Sequence, residues 1–212
     1  MKKIPDIRRR PTWPIALLLA LTLLQGSCGR QPVQLPRLDA QAVVLAFGDS
    51  LTFGTGAAPD DSYPMQLGRA IGRNVVAFGV PGEVSQSGRA RLESVLDEVK
   101  PALLLLCHGG NDFLQKRDES VLANNLRAMI ESARRRNIAV VLIGVPKPAL
   151  VLSTASVYET IAKEMNIPLE AKALANILSD TQLKADRAHP NAQGYAKLAE
   201  AVAKLLKAHG AL

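Results

Sequence analysis

The chain has 212 residues, enough for one domain with a sizeable hydrophobic core. Its formal net charge of +7 suggests a nucleic-acid partner, but residues 1–27 supply +4 of that charge through five basic residues and one acidic residue. Because the rest of the chain carries only +3, with one basic run at Arg134, Arg135 and Arg136, we expect no nucleic-acid partner.

The first 27 residues have the layout of a secretory signal. A basic stretch precedes the apolar run Ile15–Leu24, which is about ten residues long and too short to span a bilayer. Gly26–Ser27 stand directly before Cys28, an order that resembles a bacterial lipoprotein signal in which Cys28 is lipidated and becomes the new N-terminus. Gln25 stands where such signals usually carry leucine, so simple cleavage and release is the alternative. We therefore predict export to the bacterial cell envelope, with a lipid anchor on Cys28.

Residues 28–40, which contain Pro32 and Pro36, are predicted to be a tether, and residues 41–212 the folded domain. The predicted elements are, in chain order, a strand over 41–47, a helix over 62–71, a strand over 74–78, a helix over 86–99, a strand over 102–108, a helix over 118–136, a strand over 138–145, a helix over 155–165, a short strand over 167–169 and a helix over 191–208. This alternation predicts an α/β fold, with one parallel sheet between two layers of helices.

Glycines and polar residues follow the carboxyl ends of the first three strands. The first strand runs into Gly48-Asp49-Ser50-Leu51, the second into Pro81-Gly82 and the third into Gly109-Gly110-Asn111-Asp112. In the strand order 2-1-3-4-5, the first strand lies between the other two. Ser50 would then lie at the point where the strand order reverses, which is where such folds bind ligands.

Ser50, His189 and Asp186 are the three residue types that activate an alcohol as a nucleophile. The histidine takes the proton of the serine, and the carboxylate three residues before it orients the imidazole. An oxyanion also needs hydrogen-bond donors, and the backbone N–H groups of Ser50 and Gly82 and the side-chain amide of Asn111 are the candidates. Gly82 has a second interpretation, as a turn glycine after Pro81, and Asn111 has one as a turn cap.

Other kinds of site have little support in the sequence. The three histidines are scattered without metal-ligand spacing, so we expect no metal ion and no cofactor. Gly48-Asp49-Ser50 does not extend to a phosphate-binding glycine loop. Cys107 lies in an apolar run and is predicted to be a buried core residue rather than a nucleophile.

The motifs together resemble the four sequence blocks of the SGNH (GDSL) hydrolase family. The matching stretches, over residues 41–208, are Gly48-Asp49-Ser50-Leu51, then Gly82, then Gly109-Gly110-Asn111-Asp112, then Asp186-x-x-His189-Pro190-Asn191. The resemblance implies a flavodoxin-like three-layer sandwich. It implies Ser50 as the nucleophile, His189 and Asp186 as base and orienter, and Ser50, Gly82 and Asn111 as oxyanion donors. The stretches Ala46-Phe47-Gly48-Asp49-Ser50-Leu51-Thr52 and Asn125-Leu126-Arg127-Ala128 are most similar to the bacterial arylesterase, thioesterase and lysophospholipase subgroup.

The expected function is a serine esterase outside the cytoplasm. Its substrates would be short- or medium-chain acyl esters, aryl esters or lysophospholipids, and no obligate protein partner is implied. Thr52 stands where a Gly-x-Ser-x-Gly elbow would have its last glycine, which argues against the α/β-hydrolase fold. Two alternatives stay open: an O-deacetylase of carbohydrate or cell-envelope polymers that uses the same residues, and a lipoprotein that binds a ligand without catalysis.

Overall fold

A parallel five-stranded sheet organises the domain. The computed structural model describes Lys2 and residues 33–212, so the predicted signal peptide, apart from Lys2, and Cys28 lie outside the described residues. The strands are β1 (Val43–Gly48), β2 (Asn74–Gly79), β3 (Leu103–Cys107), β4 (Ala139–Ile143) and β5 (Leu169–Glu170). They pair in the order β2-β1-β3-β4-β5, and every pair is parallel. The flavodoxin-like topology predicted from the sequence is therefore confirmed.

Helices cover both faces of this sheet. In chain order they are α1 (Ser50–Phe53), α2 (Tyr63–Ile71), α3 (Ser85–Val99), α4 (Gly110–Leu114), α5 (Glu119–Arg135), α6 (Ser156–Glu164), α7 (Ala173–Ser179) and α8 (Ala192–Ala208), with a 3-10 helix at Pro59–Asp61. Helices α2 and α8 pack together in one layer, and α3 packs against α5 in the other. Right-handed crossovers require this division, because the chain moves one way from β1 to β2 and the opposite way in every later step.

The two central strands are buried on both faces. Every residue of β3 is at most 1% exposed, and so are Val44, Leu45, Ala46 and Phe47 of β1. This explains why the two strands are continuous apolar runs without alternation. Burial of each leucine stabilises the fold by about 1.5–3 kcal/mol relative to exposure to water. The core therefore holds the carboxyl ends of β1 and β3 in fixed positions.

The folded unit begins earlier than the sequence indicated. It extends from Val33 to Leu212, whereas residues 28–40 were expected to be a tether. The Leu35 N–H donates to the His209 C=O over 2.8 Å, and the Leu38 N–H donates to the Ala211 C=O over 2.9 Å. The Leu38 side chain is 4% exposed. Residues 33–38 therefore belong to the domain, since they pair with its C-terminal end.

The predicted long elements agree with the structure to within a few residues at each end, but four short ones were missed. These are α1, the 3-10 helix, α4 and α7. The short fifth strand, expected over 167–169, is the two-residue pair Leu169–Glu170. Among residues 33–212, no helix has both the length and the hydropathy needed to cross a bilayer.

Candidate active site

Ser50 lies just beyond the carboxyl end of β1, as the first residue of α1. Asp49 caps that helix, because its Oδ1 accepts a hydrogen bond from the Leu51 N–H over 3.1 Å. Asp49 is only 1% exposed. Burial raises the pKa of its carboxyl, against opposing influences of His108 and His189. Asp49 thus fixes the turn that presents the Ser50 hydroxyl.

The imidazole of His189 connects Ser50 to Asp186. Its Nε2 lies 3.0 Å from Ser50 Oγ, and its Nδ1 lies 2.8 Å from Asp186 Oδ2. Asp186 Oδ1 also accepts hydrogen bonds from the Ala188 and His189 backbone N–H groups, over 2.7 and 2.9 Å. Partial burial raises the pKa of Asp186, but the bonds from His189 and Ala188 outweigh it and lower the pKa below its usual value. The structure brings the three predicted residues together, and their catalytic roles stay a prediction.

The loop that carries Asp186 and His189 is closed by its own hydrogen bonds. The Ala185 N–H donates to the His189 C=O over 2.9 Å. Asn191 follows as the N-cap of α8, and its Oδ1 accepts the N–H three residues further on over 3.0 Å. Pro190 stands directly before the cap, outside the helix. The cap itself anchors the segment directly after His189.

Asn111 lies in α4, directly after the strand next to Ser50, and lines the same cavity as Ser50. Its Nδ2 donates to the Glu83 backbone C=O over 2.9 Å. A side-chain amide carries two N–H donors, so this bond leaves one for a ligand. The position therefore suits the predicted oxyanion donor.

Gly82 lies in a tight turn between β2 and α3. The Glu83 N–H donates to the Val80 C=O over 3.1 Å, Pro81 and Gly82 occupy the two central positions, and Gly82 has a φ of 79°. Proline followed by a residue at positive φ is typical of a type II turn, which explains the glycine. Gly82 is not among the residues that line the cavity beside Ser50. The role of Gly82 as an oxyanion donor stays a prediction, and the turn alone also explains why a glycine stands at this position.

A partly buried ion-pair cluster of Glu83, Arg91 and His108 lies next to this turn. Glu83 Oε1 lies 2.9 Å from Arg91 Nε and Glu83 Oε2 lies 2.7 Å from Arg91 Nη2, while His108 Nε2 lies 3.1 Å from the same Oε2. Burial raises the pKa of Glu83, but hydrogen bonds from His108 and Arg91 outweigh it and lower the pKa to about 2. Gly88 makes room for the cluster, since a Cβ there would lie 2.2 Å from His108 Nε2. The cluster holds the Glu83 backbone, to which Asn111 is bonded.

The low pKa of Glu83 predicts acid-sensitive stability. A carboxyl with a lowered pKa in the folded state stabilises the fold above its unfolded pKa, and that contribution is lost as the pH falls toward the folded value. We expect the free energy of unfolding to lose up to about 3 kcal/mol from this group between pH 5 and pH 2. Glu83→Gln should flatten that part of the curve in urea titrations at several pH values. Glu98→Gln, at an exposed position on α3, is the matched control, and equal slopes for Glu83→Gln and wild type would contradict the prediction.

A second cluster, of buried polar side chains, links the same loops through hydrogen bonds. Asp112 accepts from the Ser85 N–H over 2.8 Å and from the Ser85 hydroxyl over 2.6 Å, and Asn125 Nδ2 donates to Ser85 Oγ over 3.0 Å. These three residues are at most 4% exposed. The start of α3 is thereby fixed to α4 and α5, so the loops that follow β2 and β3 form one rigid unit beside Ser50.

A cavity of about 310 Å³ opens beside Ser50. A larger groove of about 820 Å³ lies between α3 and α5, but it contains none of the residues bonded to the serine, so we assign the chemistry to the smaller cavity. Among the described residues, no group of three His, Cys, Asp or Glu side chains is placed to hold a metal ion. The walls of the smaller cavity are mostly apolar, and they include Leu51, Leu114, Val145, Pro146, Pro148, Leu152 and Leu178.

Hydrogen bonds join the serine to the imidazole and the imidazole to the carboxylate, at the point where the strand order of the parallel sheet reverses. This arrangement defines a serine hydrolase of the α/β/α sandwich type. The chain belongs to the GDSL-like Lipase/Acylhydrolase family, whose model matches residues 46–197. It is therefore a carboxylic ester hydrolase, as the sequence predicted.

Known proteins of similar sequence and fold carry esterase names. Esterase TesA of Pseudomonas aeruginosa is 28% identical over 188 residues, which cover 82% of this chain and 92% of that protein. Thioesterase 1/protease 1/lysophospholipase L1 of Escherichia coli K12 is 27% identical over 179 residues, covering 81% of this chain and 86% of the relative. A crystal structure of TesA superposes with a TM-score of 0.71 at 28% identity, over 78% of this chain and 98% of that one.

Proposed function

We propose that the protein hydrolyses carboxylic esters through an acyl-enzyme formed on Ser50. His189 takes the Ser50 proton as the hydroxyl attacks the carbonyl, and it gives that proton to the leaving alcohol. Water activated by the same imidazole then releases the acid, while Asp186 keeps the imidazole oriented. The observation that carries the proposal is the row of two hydrogen bonds, 3.0 Å from Ser50 Oγ to His189 Nε2 and 2.8 Å from His189 Nδ1 to Asp186 Oδ2.

The negative charge of the tetrahedral intermediate would be stabilised by the Ser50 N–H, the Asn111 amide and the Gly82 N–H. Two observations support this assignment. Asn111 lines the cavity beside Ser50 and has a second amide N–H available. The turn that contains Gly82 is bonded to Asn111 through the Glu83 C=O. Such donors stabilise the transition state more than the substrate, so they act on kcat.

The proposed substrates are short- to medium-chain acyl esters, aryl esters or lysophospholipids. The apolar walls of the cavity favour substrates with an acyl chain, because burial of each CH₂ group there contributes about 0.8 kcal/mol to binding. The names of the relatives, which include esterase and lysophospholipase, support the same substrate class.

The chain-length preference of the enzyme tests this substrate class. We expect kcat/KM on a p-nitrophenyl ester series from acetate to palmitate to rise beyond acetate and to peak at an intermediate chain length, because additional CH₂ groups meet apolar wall. An activity that is highest on acetate and falls steadily with chain length would instead favour an O-deacetylase of the cell envelope. The purified domain, starting at residue 29, is the sample.

We also propose that the protein is exported and anchored in the bacterial envelope through a lipid on Cys28. The basic stretch, the short apolar run and the small residues before Cys28 support this proposal. When the full chain is expressed in bacteria with labelled palmitate, the wild type should carry the label and sediment with membranes. Cys28→Ser should lose both properties. Cys107→Ser is the matched control, since Cys107 is fully buried, and label retained by Cys28→Ser would contradict the anchor.

A further inference from the structure

The cavity beside Ser50 has one cationic side chain in its lining, Arg187. Arg187 is exposed, and within residues 33–212 it has no ion pair and no hydrogen bond from its side chain. The other ionisable residues of the lining are Asp49 and His189, and both are engaged in the contacts described above. A mostly apolar cavity thus includes one guanidinium that has no ion pair or hydrogen bond among residues 33–212.

The position of Arg187 relates it to the leaving group. His189 must approach the oxygen of the leaving alcohol to give it a proton, so the leaving group lies on the imidazole side of Ser50. Arg187 precedes His189 by two residues, which span at most about 7 Å of chain. The bonds that Asp186 and Ala185 make within this loop fix its backbone. Arg187 therefore lines the cavity and is close in sequence to the residue that protonates the leaving group.

The apolar part of the cavity comes from different loops. Leu114 follows β3, while Pro146 and Leu152 lie in the segment after β4. The cavity thus takes apolar lining from the segments after β3 and β4, and Arg187 from the loop that carries His189. Asp186, the carboxylate next to Arg187 in sequence, is already hydrogen-bonded to the His189 imidazole and to backbone N–H groups.

We propose that Arg187 forms an anion subsite for the leaving group, and that the preferred esters carry a phosphate a few bonds away from the ester oxygen. This inference rests on the esterase mechanism proposed above. Guanidinium groups bind phosphate through paired, charge-assisted hydrogen bonds.

A matched pair of soluble esters tests the subsite. The substrates are 1-butyryl-glycerol-3-phosphate and 1-butyryl-glycerol, which share the acyl group and the ester bond and differ only in the phosphate. For the wild type we expect kcat/KM to favour the phosphate ester, and for Arg187→Gln we expect the ratio of the two values to fall by about five- to tenfold, mainly through KM. Arg187→Lys should keep part of the preference, and 0.5 M NaCl should reduce that of the wild type. Lys204→Gln, an exposed cation on α8, should keep the wild-type ratio.

The possible results separate the subsite from the esterase mechanism. A ratio that is unchanged in Arg187→Gln would overturn the subsite, because Arg187 would then be a solvated cation. A preference found only with the palmitoyl pair, and absent from the butyryl pair, would also overturn it, since the phosphate would then act through a lipid aggregate. If the wild type hydrolyses neither glycerol ester but does hydrolyse p-nitrophenyl esters, the subsite fails and the esterase proposal stands. No turnover of any ester would reject both.

Discussion

Ser50→Ala should lower kcat by about a thousandfold or more, and His189→Ala should lower it by a similar factor. The reason is that the two residues act as one unit, since the hydroxyl is a weak nucleophile without the base, and every step of the base depends on the attack by the hydroxyl. The double variant Ser50→Ala/His189→Ala should therefore be little worse than either single variant. Steady-state rates on p-nitrophenyl butyrate measure all three.

The controls for this prediction are folding and an unrelated serine. Ser87 is exposed on α3, so Ser87→Ala should keep the wild-type rate. Circular dichroism and thermal unfolding should show Ser50→Ala folded as the wild type is, because the hydroxyl is at the surface of the cavity. If Ser50→Ala retains more than a tenth of the wild-type kcat, another group is the nucleophile and the proposed mechanism is wrong.

Asn111→Ala should lower kcat by about a hundred- to a thousandfold, with a smaller change in KM. The amide N–H is proposed to bind the oxyanion, a charge that develops only in the transition state. Loss of one such donor costs roughly 2.7–4 kcal/mol of transition-state stabilisation. Measurements of kcat and KM on the same butyrate ester separate the two parameters.

The same substitution also removes the bond from Asn111 to the Glu83 C=O. Thermal unfolding measures that structural part, which for one hydrogen bond is about 0.5–1.5 kcal/mol. Asn176→Ala, at an exposed position on α7, is the matched control. A loss of kcat below tenfold for Asn111→Ala would remove this residue from the oxyanion hole and leave the backbone N–H groups as the donors.

The sequence was sufficient to predict the sheet and the contact between Ser50 and His189. The long elements have clear hydrophobic patterns, and a parallel sheet places every strand's carboxyl end at one edge. That geometry placed Ser50 beside the loops that follow β2 and β3. The contact of Ser50 with His189, which follows no strand directly, was predicted from the three residue types and from the family resemblance.

Features that depend on individual side-chain contacts could not be predicted from the sequence. Glu83 lies in the turn after β2, Arg91 in α3 and His108 directly after β3, and nothing in their spacing indicates that they meet. The helices α1 and α4 have 4 and 5 residues, too few to show a hydrophobic period. In α7, Leu174, Ile177 and Leu178 do have helical spacing and are buried, so this helix had a detectable signal.

The pairing of residues 33–38 with the C-terminal end has a topological consequence. Leu35 and Leu38 bond to His209 and Ala211, so the two ends of the domain are neighbours. The Leu38 C=O also accepts from Arg73, which precedes β2, so both ends lie at the amino edge of the sheet, away from Ser50. Circular permutation is tolerated when chain ends are close at the surface. A permutant that joins residue 212 to residue 33 and opens the exposed segment near Leu150 should therefore be able to fold, and cargo fused directly before residue 33 or after residue 212 would leave the cavity mouth open.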